Sequence, residues 1–245
     1  MCTLVILRRP GHRWPLLAAA NRDERLDRPW DPPGPWWPEE APGVMGGRDR
    51  LAGGSWMALG PGGVLACVLN RPGSLGPAAG LRSRGVLPLL AAAAASAREG
   101  AGRIAALDAA AWRTFNMVVA DAGEAFFLRG LAQPGPPEAM ELPAGLTMVT
   151  AHDPNDLASP RIRRHLPRFR AAAAPQPDME DWAAWTGLLL DEDHDPGVGV
   201  REALHVPPTG GFGTVSSSLV ALGSRGERLW RFAATGDTFR PVALG

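Results

Sequence analysis

Two short apolar runs near the start of the chain, Leu4 to Leu7 and Leu16 to Ala20, are separated by Pro10-Gly11. Pro and Gly there are turn residues, so 3–8 and 16–20 are predicted to pair as an antiparallel hairpin. That pairing has a chemical consequence. The second run ends in Asn21-Arg22-Asp23-Glu24-Arg25, and the antiparallel return brings this cluster beside residue 2, a cysteine. A small residue after the initiator Met lets an aminopeptidase remove Met1. Cys2 then carries a thiol and a free α-amine. The amine, with a reference pKa of about 7.7–8.0 against about 8.5 for the thiol, is partly neutral at neutral pH and can act as the nucleophile's own base. Arg22 would favour the thiolate, and the carboxylate of Asp23 or Glu24 would hold the amine. The plainer alternative is that Cys2 is a small buried apolar residue.

The pair Met1-Cys2 with Ala19-Ala20-Asn21-Arg22-Asp23-Glu24 resembles the NRDE family, the family of transport and Golgi organisation protein 2. Arg28-Pro29, Gly53-Gly54-Ser55-Trp56, Asn70, Arg84-Gly85, Phe115-Asn116 and Gly213-Thr214-Val215-Ser216-Ser217-Ser218 match in the same order. The resemblance implies an N-terminal-nucleophile-hydrolase-like fold, an α+β four-layer αββα sandwich of two antiparallel sheets between helical layers. It also implies haem or acyl-lipid handling, without a defined reaction. Cysteine hydrolases of that fold place Asn side chains near the nucleophile, which makes Asn70 and Asn116 candidate oxyanion donors. Loss of one such donor in a protease costs about 100- to 1000-fold. A strand-end Asn capping a turn is the alternative. The chain departs from the family at Ala151-His152-Asp153, where Ser-Asn is common.

Composition excludes several chemistries. All 25 basic residues are Arg, balanced by 25 acidic residues, and there is no Lys and no Tyr. A chain without Lys forms no Schiff base and has no Walker-type or kinase lysine. Balanced charge gives no general attraction to nucleic acid. Two cysteines, Cys2 and Cys67, make neither a metal pattern nor a disulfide framework. Cys67 lies in an apolar run and is expected in the core. The run Leu4 to Leu7 is too short for a signal peptide, and no run approaches membrane-spanning length. The expected location is the cytoplasm, with peripheral membrane contact left open. The 245 residues are expected to form one domain over 1–245.

Further along, 26–43 holds six prolines with Trp30, Trp36 and Trp37 and is expected to lack regular structure. Its indoles either form an aromatic lid or pin the loop to the body. Residues 55–59 and 64–69 are predicted to form a hairpin. Helices are expected at 84–98, 104–113 and 178–190. A further helix should start at Ser159-Pro160, with Pro167 kinking or ending it. Strands are expected at 116–120, 125–128 and 146–151, and three more in 213–245. The basic face at 161–170 is read as solvated or as a phosphate contact. Asp191 to Asp195 reads as a solvated acidic turn, since it lacks EF-hand spacing.

Two functions follow. One is a hydrolase or acyltransferase in which Cys2 attacks, Arg22 activates, Asp23 holds the amine and Asn70 or Asn116 binds the oxyanion, with no cofactor required. The other is a carrier of haem or an acyl ester. Asn21, Glu24, Trp30, Trp36, Trp37 and Trp56 are the candidate ligand contacts.

Overall fold

The computed structural model describes residues 2–245, so the predicted fate of Met1 lies outside the described residues. The strands in chain order are β1 (Thr3–Arg8), β2 (Leu16–Arg25), β3 (Trp30–Gly34), β4 (Met45–Asp49), β5 (Ser55–Leu59), β6 (Leu65–Asn70), β7 (Phe115–Ala120), β8 (Ala125–Gly130), β9 (Glu138–Glu141), β10 (Gly145–Val149), β11 (Phe212–Leu222), β12 (Arg228–Ala234) and β13 (Arg240–Pro241). The helices are α1 (Val86–Ala92), α2 (Ala97–Ala105), α3 (Pro160–Ala171) and α4 (Ala183–Leu189). One sheet runs β10-β1-β2-β11-β12-β13, the other β3-β4-β5-β6-β7-β8-β9, and every pairing is antiparallel.

Period-two alternation sorts the apolar side chains into three cores. Leu4, Ile6, Leu16 and Ala18 meet Met57, Leu65, Cys67 and Val118 between the sheets. Ala58, Ala66, Met117 and Val119 pack under α1 and α2, and Val5, Leu17, Ala19 and Leu219 pack under α3 and α4. The result is a four-layer αββα sandwich, as the sequence pattern implies. Cys67 is buried in the central core. Among the described residues no helix is long and apolar enough to cross a membrane.

Several boundaries differ from the sequence reading. β2 continues through the polar cluster to Arg25, because β11 pairs along its whole length. The Pro-rich stretch does contain a strand: β3 carries Pro32 and Pro33 at the sheet edge, where a missing N–H removes no ladder bond. β4 and β9 were not anticipated. The expected helix over 84–98 is two helices, because the Ser96 hydroxyl accepts from Glu99 N at 3.2 Å and starts α2 afresh. The helix expected over 104–113 is the end of α2 followed by one 3₁₀ turn. Ser159 caps α3 as expected, but the helix runs past Pro167 to Ala171. α4 is shorter than the predicted 178–190.

Candidate active site

The Thr3–Asn21 register of β1 and β2 sets the site. Leu16, Ala18 and Ala20 point into the central core, and Leu17 and Ala19 point towards α3 and α4. Continuing the alternation, Arg22 and Glu24 belong to the inner face, and Asn21 and Asp23 to the outer. The hydrogen bonds agree. Asn21 Nδ2 donates to Leu189 O at 2.8 Å and Leu204 O at 2.9 Å, while Ser217 Oγ donates to Asn21 Oδ1 at 2.7 Å. Asn21 thus ties β2 to the end of α4, with both amide hydrogens committed. The Asp23 carboxylate accepts from Arg161 Nη1 at 2.8 Å and from Thr214 Oγ1 at 2.7 Å. Arg161 also donates to Thr3 Oγ1 at 2.9 Å.

On the inner face the Cys2 Sγ lies 3.6 Å from the carbonyl oxygen of Asp23. The Arg22 guanidinium stacks 4.1 Å from the centroid of Trp56. Its Nη2 reaches towards Asp49 Oδ2 at 3.5 Å and Glu24 Oε2 at 3.6 Å. Its Nη1 is buried and has no hydrogen-bond partner among the described residues. Cys2, Arg22 and Trp56 line one cavity of about 10 Å³ between the sheets, about the space of a single water. Trp56 fits there because Gly47 lies beneath it: a Cβ at 47 would fall 2.2 Å from the indole.

The electrostatics differ from the expected activation. Burial, and then the Asp23 carboxylate, push the Cys2 thiol above its ordinary value. Arg22 pulls in the expected direction and is outweighed. Cys2 is therefore held as a thiol at neutral pH, and a base must take its proton before it can attack.

The asparagines part company. Asn116 is wholly buried. Its Nδ2 donates to Thr150 O at 2.9 Å and His152 O at 2.7 Å, and its Oδ1 accepts from Arg71 Nη1 at 2.6 Å. Neither amide hydrogen is left for an oxyanion; Asn116 links β7 to the segment that leaves β10. Asn70 follows Ala66 and Val68 in the alternation along β6, towards the helical side. It makes no side-chain hydrogen bond among the described residues.

The tryptophans divide likewise. Trp37 is buried and donates Nε1 to Gly53 O at 2.7 Å, pinning the loop. Trp36 lies at the surface against Arg48. Trp30 alone of the three reaches the site, edge-on to Trp56 with centroids 5.9 Å apart.

Asp49, Arg161 and Thr214 escaped notice as site residues. Arg161 was findable. Arg161, Ile162, His165, Leu166 and Phe169 fall on one helical face, and that face is the buried one. Two further basic residues of α3 pair with the acidic turn: Arg164 with Asp193, and Arg168 with Asp191. Among the described residues no three His, Cys, Asp or Glu are grouped to hold a metal ion.

A model of the family described as Transport and Golgi organisation 2 matches residues 1–229. The chain belongs to the Transport and Golgi organisation 2 family. The segment matched contains Cys2, the NRDE cluster and the three serines of β11. No curated protein matches this family member in sequence. Among solved structures it is similar to a Caenorhabditis elegans ortholog of N-acylethanolamine-hydrolyzing acid amidase. The TM-score is 0.56 at 11% identity, over 89% of this chain and 92% of that one. It is also similar to a mutant conjugated bile acid hydrolase from Clostridium perfringens, with a TM-score of 0.52 at 11% identity, over 99% of this chain and 92% of that one. Both likenesses are of fold: an N-terminal-nucleophile-hydrolase-like sandwich carries this Transport and Golgi organisation 2 sequence.

Proposed function

We propose that the protein is a cysteine amidohydrolase whose nucleophile is Cys2. One observation carries this reading: Cys2 and Arg22 line the same small cavity, and Arg22 Nη1 is buried with no hydrogen-bond partner among the described residues. An unsatisfied buried donor is costly, and beside a nucleophile it is placed to meet developing negative charge. One of the similar structures is named an acid amidase and the other a hydrolase, which supports hydrolysis and the choice of an amide bond.

With Met1 removed, the α-amine of Cys2 takes the thiol proton as Sγ bonds to the amide carbon. The carbonyl π pair moves to oxygen, which accepts a hydrogen bond from Arg22 Nη1. Collapse of this oxyanion breaks the C–N bond, and the departing amine takes the proton back from the α-ammonium. A thioester remains. Water, deprotonated by the α-amine, adds to the thioester carbon and expels the Cys2 sulfur, which regains a proton, and the acid leaves. Asp23 acts here through its carbonyl and its charge, and Asn116 through the position of the segment after β10. The cavity has room for a carbonyl oxygen, and the rest of the substrate lies towards its mouth.

The test is covalent trapping. Wild-type protein given an acyl amide should gain the acyl mass on Cys2, and Cys2→Ser should bind the same amide with greatly slowed release of acid. Equal product release by wild type and Cys2→Ser would refute the reading.

A further inference from the structure

Arg84-Gly85, one of the matching pieces of the sequence, takes no part in the chemistry above. Its position is nevertheless fixed with care. Ser55 N donates to Gly85 O at 2.8 Å. A Cβ on Gly54 would fall 2.4 Å from the Gly85 carbonyl carbon, so only glycine permits this backbone-to-backbone contact. The contact seats the start of β5, and the next residue of β5 is Trp56, a wall of the Cys2 cavity. Arg84 is thereby held at the site end of the sandwich, near enough for charge on Cys2 and Glu24 to act on it.

Arg84 also lies in a stretch of chain without carboxylates. The sequence has no Asp or Glu from residue 51 to residue 98. Arg84 Nη1 donates to Ser74 Oγ and Thr114 O, both at 2.9 Å, and these fix its direction without neutralising it. Among the described residues no carboxylate pairs with Arg84, Arg82 or Arg113. Arg113 instead donates to the carbonyls of Gly73 and Pro77, which holds a second guanidinium over the same loop. Burial, and then the like charge of Arg113, pull Arg84 down to about 10. By contrast Arg71, at the start of that loop, is matched by Asp153 at 2.6 Å. Two neighbouring guanidiniums, one of them partly buried and both held by neutral acceptors, are arranged to pair with an anion.

We propose that Arg84, backed by Arg113, receives an anionic oxygen group of the substrate, a carboxylate or phosphate, while the acyl carbonyl meets Cys2. This rests on the amidohydrolase reading for the carbonyl's place, and it narrows the substrate to acyl amides with an anionic group. The guanidinium fork suits two oxygens of one group. A charge-assisted pair of this kind corresponds to about 10- to 100-fold in affinity.

The experiment uses three ligands of one acyl length: an N-acyl glycine, the phosphate monoester of an N-acylethanolamine, and the neutral N-acylethanolamine. Binding is measured by calorimetry on the Cys2→Ala protein, so that nothing turns over. At least one anionic ligand should bind about 10- to 100-fold tighter than the neutral one, with the preference shrinking as salt is raised. The two anionic arms tell carboxylate from phosphate. Adding Arg84→Met should reduce the preference to within about threefold while leaving the neutral ligand's affinity nearly unchanged, and Arg84→Lys should restore part of it. Arg113→Met, which leaves the Ser74 and Thr114 contacts in place, should weaken the preference a few-fold should Arg84→Met fail to fold. No preference in the parent protein, or a preference that survives both the Arg84 and Arg113 substitutions, would overturn the proposal. Failure of thioester trapping with the anion preference intact would remove the chemistry and leave this site standing. Trapping with equal use of all three ligands would do the reverse.

Discussion

Replacing Asn116 with alanine separates two accounts of a buried asparagine. An oxyanion donor contributes to rate and little to stability. The geometry instead makes Asn116 a joint between the sheets, with three hydrogen bonds at 2.6–2.9 Å. Alanine leaves Thr150 O, in a buried residue, without its donor, at about 1–3 kcal/mol. His152 is partly exposed, so water can replace that bond, and the loss there and at Arg71 is about 0.5–1.5 kcal/mol each. The total is about 4 kcal/mol, which for a chain of this length lowers the melting temperature by roughly 8–16 °C. Asn70→Ala, at a side chain with no hydrogen bond among the described residues, should change it by no more than about 2 °C. Thermal unfolding followed by circular dichroism reads both variants. Should Asn116→Ala melt within about 2 °C of wild type while acyl-amide turnover collapses, the structural assignment is wrong and the oxyanion role returns.

Two further outcomes follow from groups that burial has shifted. His165 is wholly buried, with Nε2 donating to Glu202 O and Nδ1 accepting from Arg168, and burial holds its pKa down to about 4. The unfolded chain takes up that proton near pH 6.5 and the folded chain only near 4. Stability is therefore complete above pH 6.5 and falls through the window below it, by up to about 3 kcal/mol at pH 4. Chemical denaturation from pH 7.5 to 4.5 should show this slope in wild type and a flatter one in His165→Gln; equal slopes would contradict it. Arg22→Ala removes a cation that opposes the upward shift of the Cys2 thiol, so the pH of half-maximal alkylation of Cys2 by iodoacetamide should move higher, and an unchanged profile would exclude Arg22 from any electrostatic role at the thiol.

Much of the architecture was legible because it is carried by local signals. Pro10-Gly11, Gly62-Gly63 and Asp121-Ala122-Gly123 punctuate apolar runs whose alternation sets the hairpins, and Ser159-Pro160 starts a helix through its own side chain and ring. The register of the first hairpin then placed residues 21–24 next to Cys2 before any coordinates. What stayed hidden depends on partners distant in the chain. β3 carries two prolines and is a strand only because β4 offers it an edge. The polar end of β2 is a strand only because β11, some 190 residues later, pairs with it. Which face an asparagine occupies was equally invisible: Asn116 stands near the start of one apolar run and Asn70 at the end of another, yet one bridges the sheets and the other faces the helices. The basic stripe of α3 and the acidic turn at 191–195 read separately as solvated, and the fold sets them against each other. Arg22 over Trp56 needs two sheets to be stacked in one particular way.

The measurement that bears most directly on the Cys2 site is the intact mass of the purified protein before and after incubation with an acyl amide. The account predicts a chain lacking Met1, an added acyl group that maps to Cys2 and disappears with hydroxylamine, and no such adduct in Cys2→Ala. An active chain that keeps Met1, or an adduct that persists in Cys2→Ala, would contradict it.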